Sequence, residues 1–70
     1  MQLGLYRHFK GGIYEVIGIA RHSETLEELV IYKSLKDQSL WVRPLSMWNE
    51  RIEKEGKIYV RFTYIGKEKQ

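Results

Sequence analysis

No cysteine occurs among the seventy residues, and this absence constrains the fold more than any motif does. Without cysteine, no disulfide can staple the chain and no thiolate metal site can organise it. A chain this short is one domain, 1–70, and folding removes only about 60% of the surface its unfolded form exposes. Its stability is then on the order of 4–10 kcal/mol. The core must come from apolar packing alone. Tyr6, Phe9, Tyr14, Tyr32, Trp41, Trp48, Tyr59, Phe62 and Tyr64 are the material for it, because each ring covers a large area at small entropic cost.

Periodicity predicts strands for most of the chain. "YRHFKGG", Tyr6 to Gly12, is a strand running into a turn. Gly12 to His22 reads as a second strand, with Ile13, Glu15, Ile17, Ile19 and Arg21 on one face and Tyr14, Val16, Gly18, Ala20 and His22 on the other. Apolar residues on both faces suit a strand covered in part on each side, and Gly18 marks a place for a bend or bulge. After the polar connection "HSETLEE", Leu29 to Leu35 is rich in β-branched residues, "KDQS" is turn chemistry, and Leu40 to Arg43 completes a hairpin.

Pro44 has no amide hydrogen to donate and ends that strand. Leu45, Trp48 and Ile52 then recur three and four apart, one face of a short helix over Pro44–Glu55 that Pro44 opens and Gly56 stops. Residues 57–65 alternate as a last strand, Ile58, Val60, Phe62 and Tyr64 sharing one face, and 66–70 form a fraying tail. The fold class expected is all-β with one short helix, built as a small SH3-like barrel. Closure removes the edges that a small sheet must otherwise protect. An open antiparallel sheet covered by the helix is the alternative.

Charge and motif exclude more than they assign. The formal charge of +3 suits an anionic partner but falls far short of the Lys/Arg runs that would demand one. The start lacks the apolar run of a signal peptide, and no eighteen apolar residues run together, so no membrane helix and a cytoplasmic setting are expected. His8 and His22 are the only histidines; zinc with an open position would need a third ligand, Glu15 or Glu24, brought from a distance. Neither a metal nor another cofactor is expected. His22 beside Ser23 has the composition of a dyad, yet neighbours on a strand point to opposite faces. The plainer reading is that Ser23 and Thr25 tie down the connection through neighbouring amides. "KGG" is too short for a phosphate loop and opens no helix.

Three blocks, Tyr-Arg-His-Phe-Lys-Gly from Tyr6, Ala-x-His-Ser-Glu-Thr from Ala20 and Trp-Val-Arg-Pro-x-x-Met from Trp41, together resemble the small bacterial family known as domain of unknown function 1653 (DUF1653). The likeness runs from Tyr6 to about Phe62. Trp48 stands where the family usually has phenylalanine, and Val60 where a proline often precedes the Arg-Phe pair. The resemblance implies a bacterial cytoplasmic protein with a compact, mainly β fold, and it implies no activity and no site residues.

The remaining constellation is aromatic and cationic. Tyr6, Arg7, His8, Lys10, His22, Trp41, Arg43 and Arg61 come from separate strands, and a tightly curved sheet can bring them to one face. Such a surface suits planar or anionic ligands, since stacking contributes roughly 1–3 kcal/mol per base. The reading is a non-catalytic recognition module with its site on Tyr6–Lys10, on His22, Ser23, Glu24 and Thr25, and on Trp41–Arg43. A short single-stranded nucleic acid or a nucleotide-like metabolite is the ligand it implies. The alternatives are an SH3-like module for protein or peptide partners and a minimal enzyme acting through His22 and Glu24. The competing structural explanation seals Tyr6, Phe9 and Trp41 in the core and pairs Arg43 and Arg61 with Glu15 or Glu24.

Overall fold

The computed structural model describes residues 1–67. Seven strands run in chain order: β1 (Gly4–His8), β2 (Ile13–Arg21), β3 (Glu28–Ser34), β4 (Leu40–Pro44), β5 (Arg51–Lys54), β6 (Lys57–Val60) and β7 (Phe62–Gly66). Each β-rich run of the sequence becomes a strand, and the turns between the first four close through short backbone bonds. The Gly11 amide donates to the His8 carbonyl at 2.8 Å, the Leu26 amide to His22 at 2.9 Å, and the Gln38 amide to Ser34 at 2.8 Å.

The strands form a five-stranded antiparallel sheet of order β4-β3-β2-β1-β7 and a separate two-stranded ribbon of β5 and β6. The fold is therefore all-β, but the expected SH3-like closure is absent among the described residues. β4 and β7 stand at opposite edges of an open sheet. The expected last strand is also discontinuous, and its interruption lies at Arg61. Its amide donates to the Glu50 carbonyl while its own carbonyl accepts from the Phe9 amide, both at 2.9 Å. The predicted last strand is thus broken there, β6 pairing with β5 and β7 pairing with β1.

The predicted helix is also replaced. Its first residues make one 3₁₀ turn, Leu45–Met47, closed by the Trp48 amide on the Leu45 carbonyl at 3.0 Å. Ile52, the third residue of the supposed helical face, lies in β5 opposite Tyr59. Gly56 does not stop a helix; Glu55 and Gly56 have φ of 53° and 78°, the two left-handed residues of a tight hairpin turn. The open-sheet alternative is right about the sheet and wrong about the cover. Gly66, placed in the fraying tail by the sequence, ends β7, while residues 68–70 of that tail lie outside the described residues.

Register explains the core. Directly opposed residues share a face, so the inner surface carries Tyr6 against Tyr14 and Tyr64, His8 against Phe62, Tyr32 against Val16 and Trp41, and Val30 against Arg43. Ile17 is a bulged residue: Val16 faces Tyr32 and Gly18 faces Ile31, so the face assignment expected along β2 changes at Ile17, beside the Gly18 that the sequence marks for a bend or bulge. Trp48 closes the inner surface from above. Fully buried, it stacks flat on Phe62 at 3.9 Å between centroids and meets Tyr32 and Tyr6 edge-on at 5.0 and 5.4 Å. Covering one ring of this size is worth about 5 kcal/mol. No helix among the described residues is long and apolar enough to cross a membrane.

Candidate functional site

Trp48 covers only part of the inner surface. The part nearest the start of β4 stays open, because Trp41 on that edge strand has no neighbour beyond it. There the sheet forms a groove of about 400 Å³ lined by Tyr14, Tyr32, Ser34, Lys36, Trp41 and Arg43, with Asp37 and Ser39 from the β3–β4 turn completing its rim. Tyr14 and Tyr32 meet edge-on at 5.6 Å. A wider hollow of about 640 Å³ surrounds the Ile17 bulge, but it holds no aromatic side chain.

Trp41 is 54% exposed and takes part in no aromatic pair among the described residues, yet its ring is tied. The indole Nε1–H donates to Ser39 Oγ at 2.7 Å, and that hydroxyl donates to Asp37 Oδ1 at 2.6 Å. The Ser39 amide donates to the same carboxylate oxygen at 3.0 Å. These bonds, the hydroxyl's first, hold the Asp37 carboxyl below the usual carboxylate range. An exposed ring held in one orientation offers a stacking surface whose ordering cost is met before any ligand arrives.

Arg43 stands two residues along β4 on the same face, its guanidinium carbon 5.9 Å from the centre of the Phe62 ring. His8 is half-buried against the same ring at 5.0 Å, and its Nδ1 accepts from the Lys10 amide at 3.1 Å. Burial holds the His8 pKa below its ordinary value, and the charges of Arg61, Arg43 and Lys10 add to that effect in this order. Lys10 itself is exposed, with its Nζ 5.7 Å from the Phe9 ring.

The other sequence-predicted residues are distributed differently. Tyr6 is sealed, 5% exposed, with its hydroxyl donating to the Gln2 carbonyl at 2.6 Å, so it belongs to the core and offers no stacking face. Arg7 opposes Ile13 and Thr63 in the register, on the outer surface, because it follows Tyr6 by one residue. Arg61 pairs with Glu50 at 2.5 Å and Glu15 with Lys33 at 3.8 Å, so neither of the acids expected to neutralise Arg61 does so.

His22, Ser23, Glu24 and Thr25 lie at the far end of the β2–β3 hairpin, which runs from Tyr14 opposite Ser34 to Arg21 opposite Glu28. At about 3.3 Å per residue they are some 20 Å along the hairpin from its Tyr14–Ser34 end. His22 Nδ1 accepts the Glu24 and Thr25 amides at 3.1 and 3.4 Å, and Thr25 Oγ1 accepts the Glu27 amide at 3.2 Å. The histidine and the threonine thus tie the turn. No cluster of three or more His, Cys, Asp or Glu side chains placed to hold a metal occurs among the described residues.

Tyr14, Tyr32, Ser34, Lys36, Asp37 and Ser39 were missed. The predicted hairpin, with Leu35 and Leu40 flanking its turn, sets Tyr32 on the face of Trp41 and Arg43, which was the available signal for the tyrosine; the observed register shifts it opposite Trp41.

Fold and groove together define a small all-β protein whose open sheet carries an aromatic and cationic hollow. The chain belongs to the DUF1653 family, proteins of unknown function, whose family model matches residues 4–64. It is similar to the crystal structure of a DUF1653 protein from Bordetella bronchiseptica, at 34% identity and a TM-score of 0.89 over 100% of this chain and 94% of that one. No curated protein matches it.

Proposed function

We propose that the protein is a non-catalytic recognition module of the bacterial cytoplasm, and that its groove takes a planar, anionic unit: a base with its phosphate, in a short single strand or a free nucleotide. The observation that carries this reading is Trp41, a large ring left 54% exposed and yet fixed in orientation by Ser39 and Asp37, with Arg43 beside it. Rings at the surface with no tether are ordinary; one held ready next to a guanidinium is suited to stacking plus charge.

Tetrathymidylate and thymidine 5′-monophosphate test it. Of the two indole N–H resonances, that of Trp41 is expected to move on titration and that of buried Trp48 to stay in place. Trp41→Ala should weaken binding by about five- to 150-fold, the equivalent of one stacked base. Arg43→Ala should lower the salt slope of tetrathymidylate binding by about 0.7, the value for one lost phosphate contact on a single strand. An unmoved Trp41 resonance at saturating probe would end this reading.

A second reading, a module for protein or peptide partners, draws on β4. It is an edge strand whose backbone has one side unpaired, and its outward residues Leu40 and Val42 are 65% and 60% exposed. A peptide adding a strand there would bind through main-chain bonds and tolerate salt.

A further inference from the structure

Around the Phe62 ring the inner surface gathers positive charge, of which its acids match only that of Arg61. Lys10 reaches His8 from their shared turn, Arg43 from β4, and Arg61 from the bend before β7. Tyr14 of β2 faces the same imidazole at 6.3 Å. Glu50 is committed to Arg61, and Asp37, on the groove rim, is committed to Ser39. Arg43 belongs to neither of the ion pairs among the described residues. The Nε atoms of Arg43 and Arg61 are both buried without a hydrogen-bond partner.

We propose that His8, Arg43 and Arg61 form a seat for an anion of the phosphate and sulfate class, and that occupying it is coupled to protonation of His8. The proposal rests on the groove reading in one respect: the seat would hold the charge of the ligand whose ring lies on Trp41.

The Arg43 guanidinium, with no carboxylate partner among the described residues, is a bidentate donor waiting for an oxyanion, while Arg61 adds the part of its fork that Glu50 leaves free. Because His8 Nδ1 accepts the Lys10 amide, the neutral ring carries its proton on Nε2 and adds a further donor. In the free protein, burial and the three cations keep this ring neutral to a lower pH than usual. An anion in the seat offsets the cations and lifts the His8 pKa from that lowered value. The bond to the Lys10 amide is lost on protonation with or without the anion, so it drops out of the linkage. Affinity therefore rises as pH falls between the bound and free pKa values, is level outside that window, and binding takes up a proton within it.

Inorganic sulfate is the probe, since it remains a dianion throughout this range and contributes no titration of its own. Its addition to the wild-type protein should shift the ring resonances of His8 and raise their titration midpoint, leaving those of His22, at the far end of the β2–β3 hairpin, unchanged. Sulfate affinity should rise on acidification by about tenfold for each pH unit that the midpoint moves. Arg43→Ala should abolish the shift, and Arg43→Lys should restore part of it, a point charge replacing a fork. Sulfate that leaves the His8 midpoint where it was overturns the seat, and does so even where thymidylate still moves Trp41, in which case the groove reading survives alone. Sulfate that moves His8 while thymidylate leaves Trp41 untouched supports the seat and removes the groove reading.

Discussion

The two tryptophans receive opposite treatment. Trp48 is wholly buried between Phe62, Tyr6 and Tyr32, yet its indole N–H has no hydrogen-bond partner. Trp41 is more than half exposed, yet its N–H is bonded to a serine that is bonded to an aspartate. A buried donor without a partner costs about 1–3 kcal/mol, which the roughly 5 kcal/mol from covering the ring outweighs. At Trp41 the hydrogen bonds bring little stability, because water would satisfy the same groups. What they do supply is a fixed orientation. One ring is placed by packing and spends a polar group; the other is placed by polar groups and leaves its face free. The contrast separates the part of the inner surface that holds the fold together from the part available to a ligand.

Truncating each ring would break or establish that contrast, and the effects differ most here. Trp48→Ala should destabilise the protein by about 3–5 kcal/mol, a large share of a total on the order of 4–10 kcal/mol. Trp41→Ala should change it by less than about 1 kcal/mol, as exposed positions do. Urea denaturation of the two variants, read by far-ultraviolet circular dichroism, gives both values. Comparable losses at the two positions would mean that Trp41 is a structural residue and the groove an accident of packing.

A smaller effect sharpens the account of the buried ring. Phenylalanine at this position has no N–H to strand. Trp48→Phe removes some packing and also removes the unpartnered donor. The two changes oppose each other, at about 1–3 kcal/mol for the donor and a similar sum for the smaller ring. The net change in unfolding free energy should stay within about 1 kcal/mol. A loss as large as that of the alanine variant would show that the indole N–H is satisfied in solution.

Sequence and structure agree where a residue's role follows from its neighbours along the chain. The β3–β4 hairpin was legible because Leu29–Leu35 and Leu40–Arg43 are β-rich runs around a polar turn, and Trp41 and Arg43, two apart, had to share a face. The helix failed because Leu45, Trp48 and Ile52 satisfy helical spacing and equally a turn followed by a strand. Glu55-Gly56, readable as a helix stop, was the hairpin signal. Arg61 could not be read as a break, since what pins it are carbonyl and amide groups of Glu50 and Phe9, remote in sequence. The site was legible in kind more than in membership. Tyr6 and Arg7 needed to be assigned to faces, His22 to an end of its hairpin, and both assignments depend on registers that no single strand encodes.

The tether of Trp41 yields the smallest effect and the most direct test of orientation. Asp37 accepts from the Ser39 hydroxyl and amide, which keeps its pKa below the ordinary carboxylate value in the folded protein. A folded pKa lower than the unfolded one means that the tether is intact above the usual carboxylate range and is lost as pH falls through the lowered value. The carboxylate is fully exposed, so the loss hardly alters global stability. It should instead free the ring. Side-chain relaxation of the Trp41 indole is expected to report faster motion in that acid window, with Trp48 unchanged. Ser39→Ala should produce the same mobility already at neutral pH, and Asp37→Ala should erase the acid transition. Binding of tetrathymidylate by Ser39→Ala should weaken, since the stacking ring must then be ordered at the moment of association. A Trp41 ring that stays rigid in Ser39→Ala would place its orientation in its position opposite Tyr32 on the β3–β4 ladder, and the serine and aspartate would have no part in readying the groove.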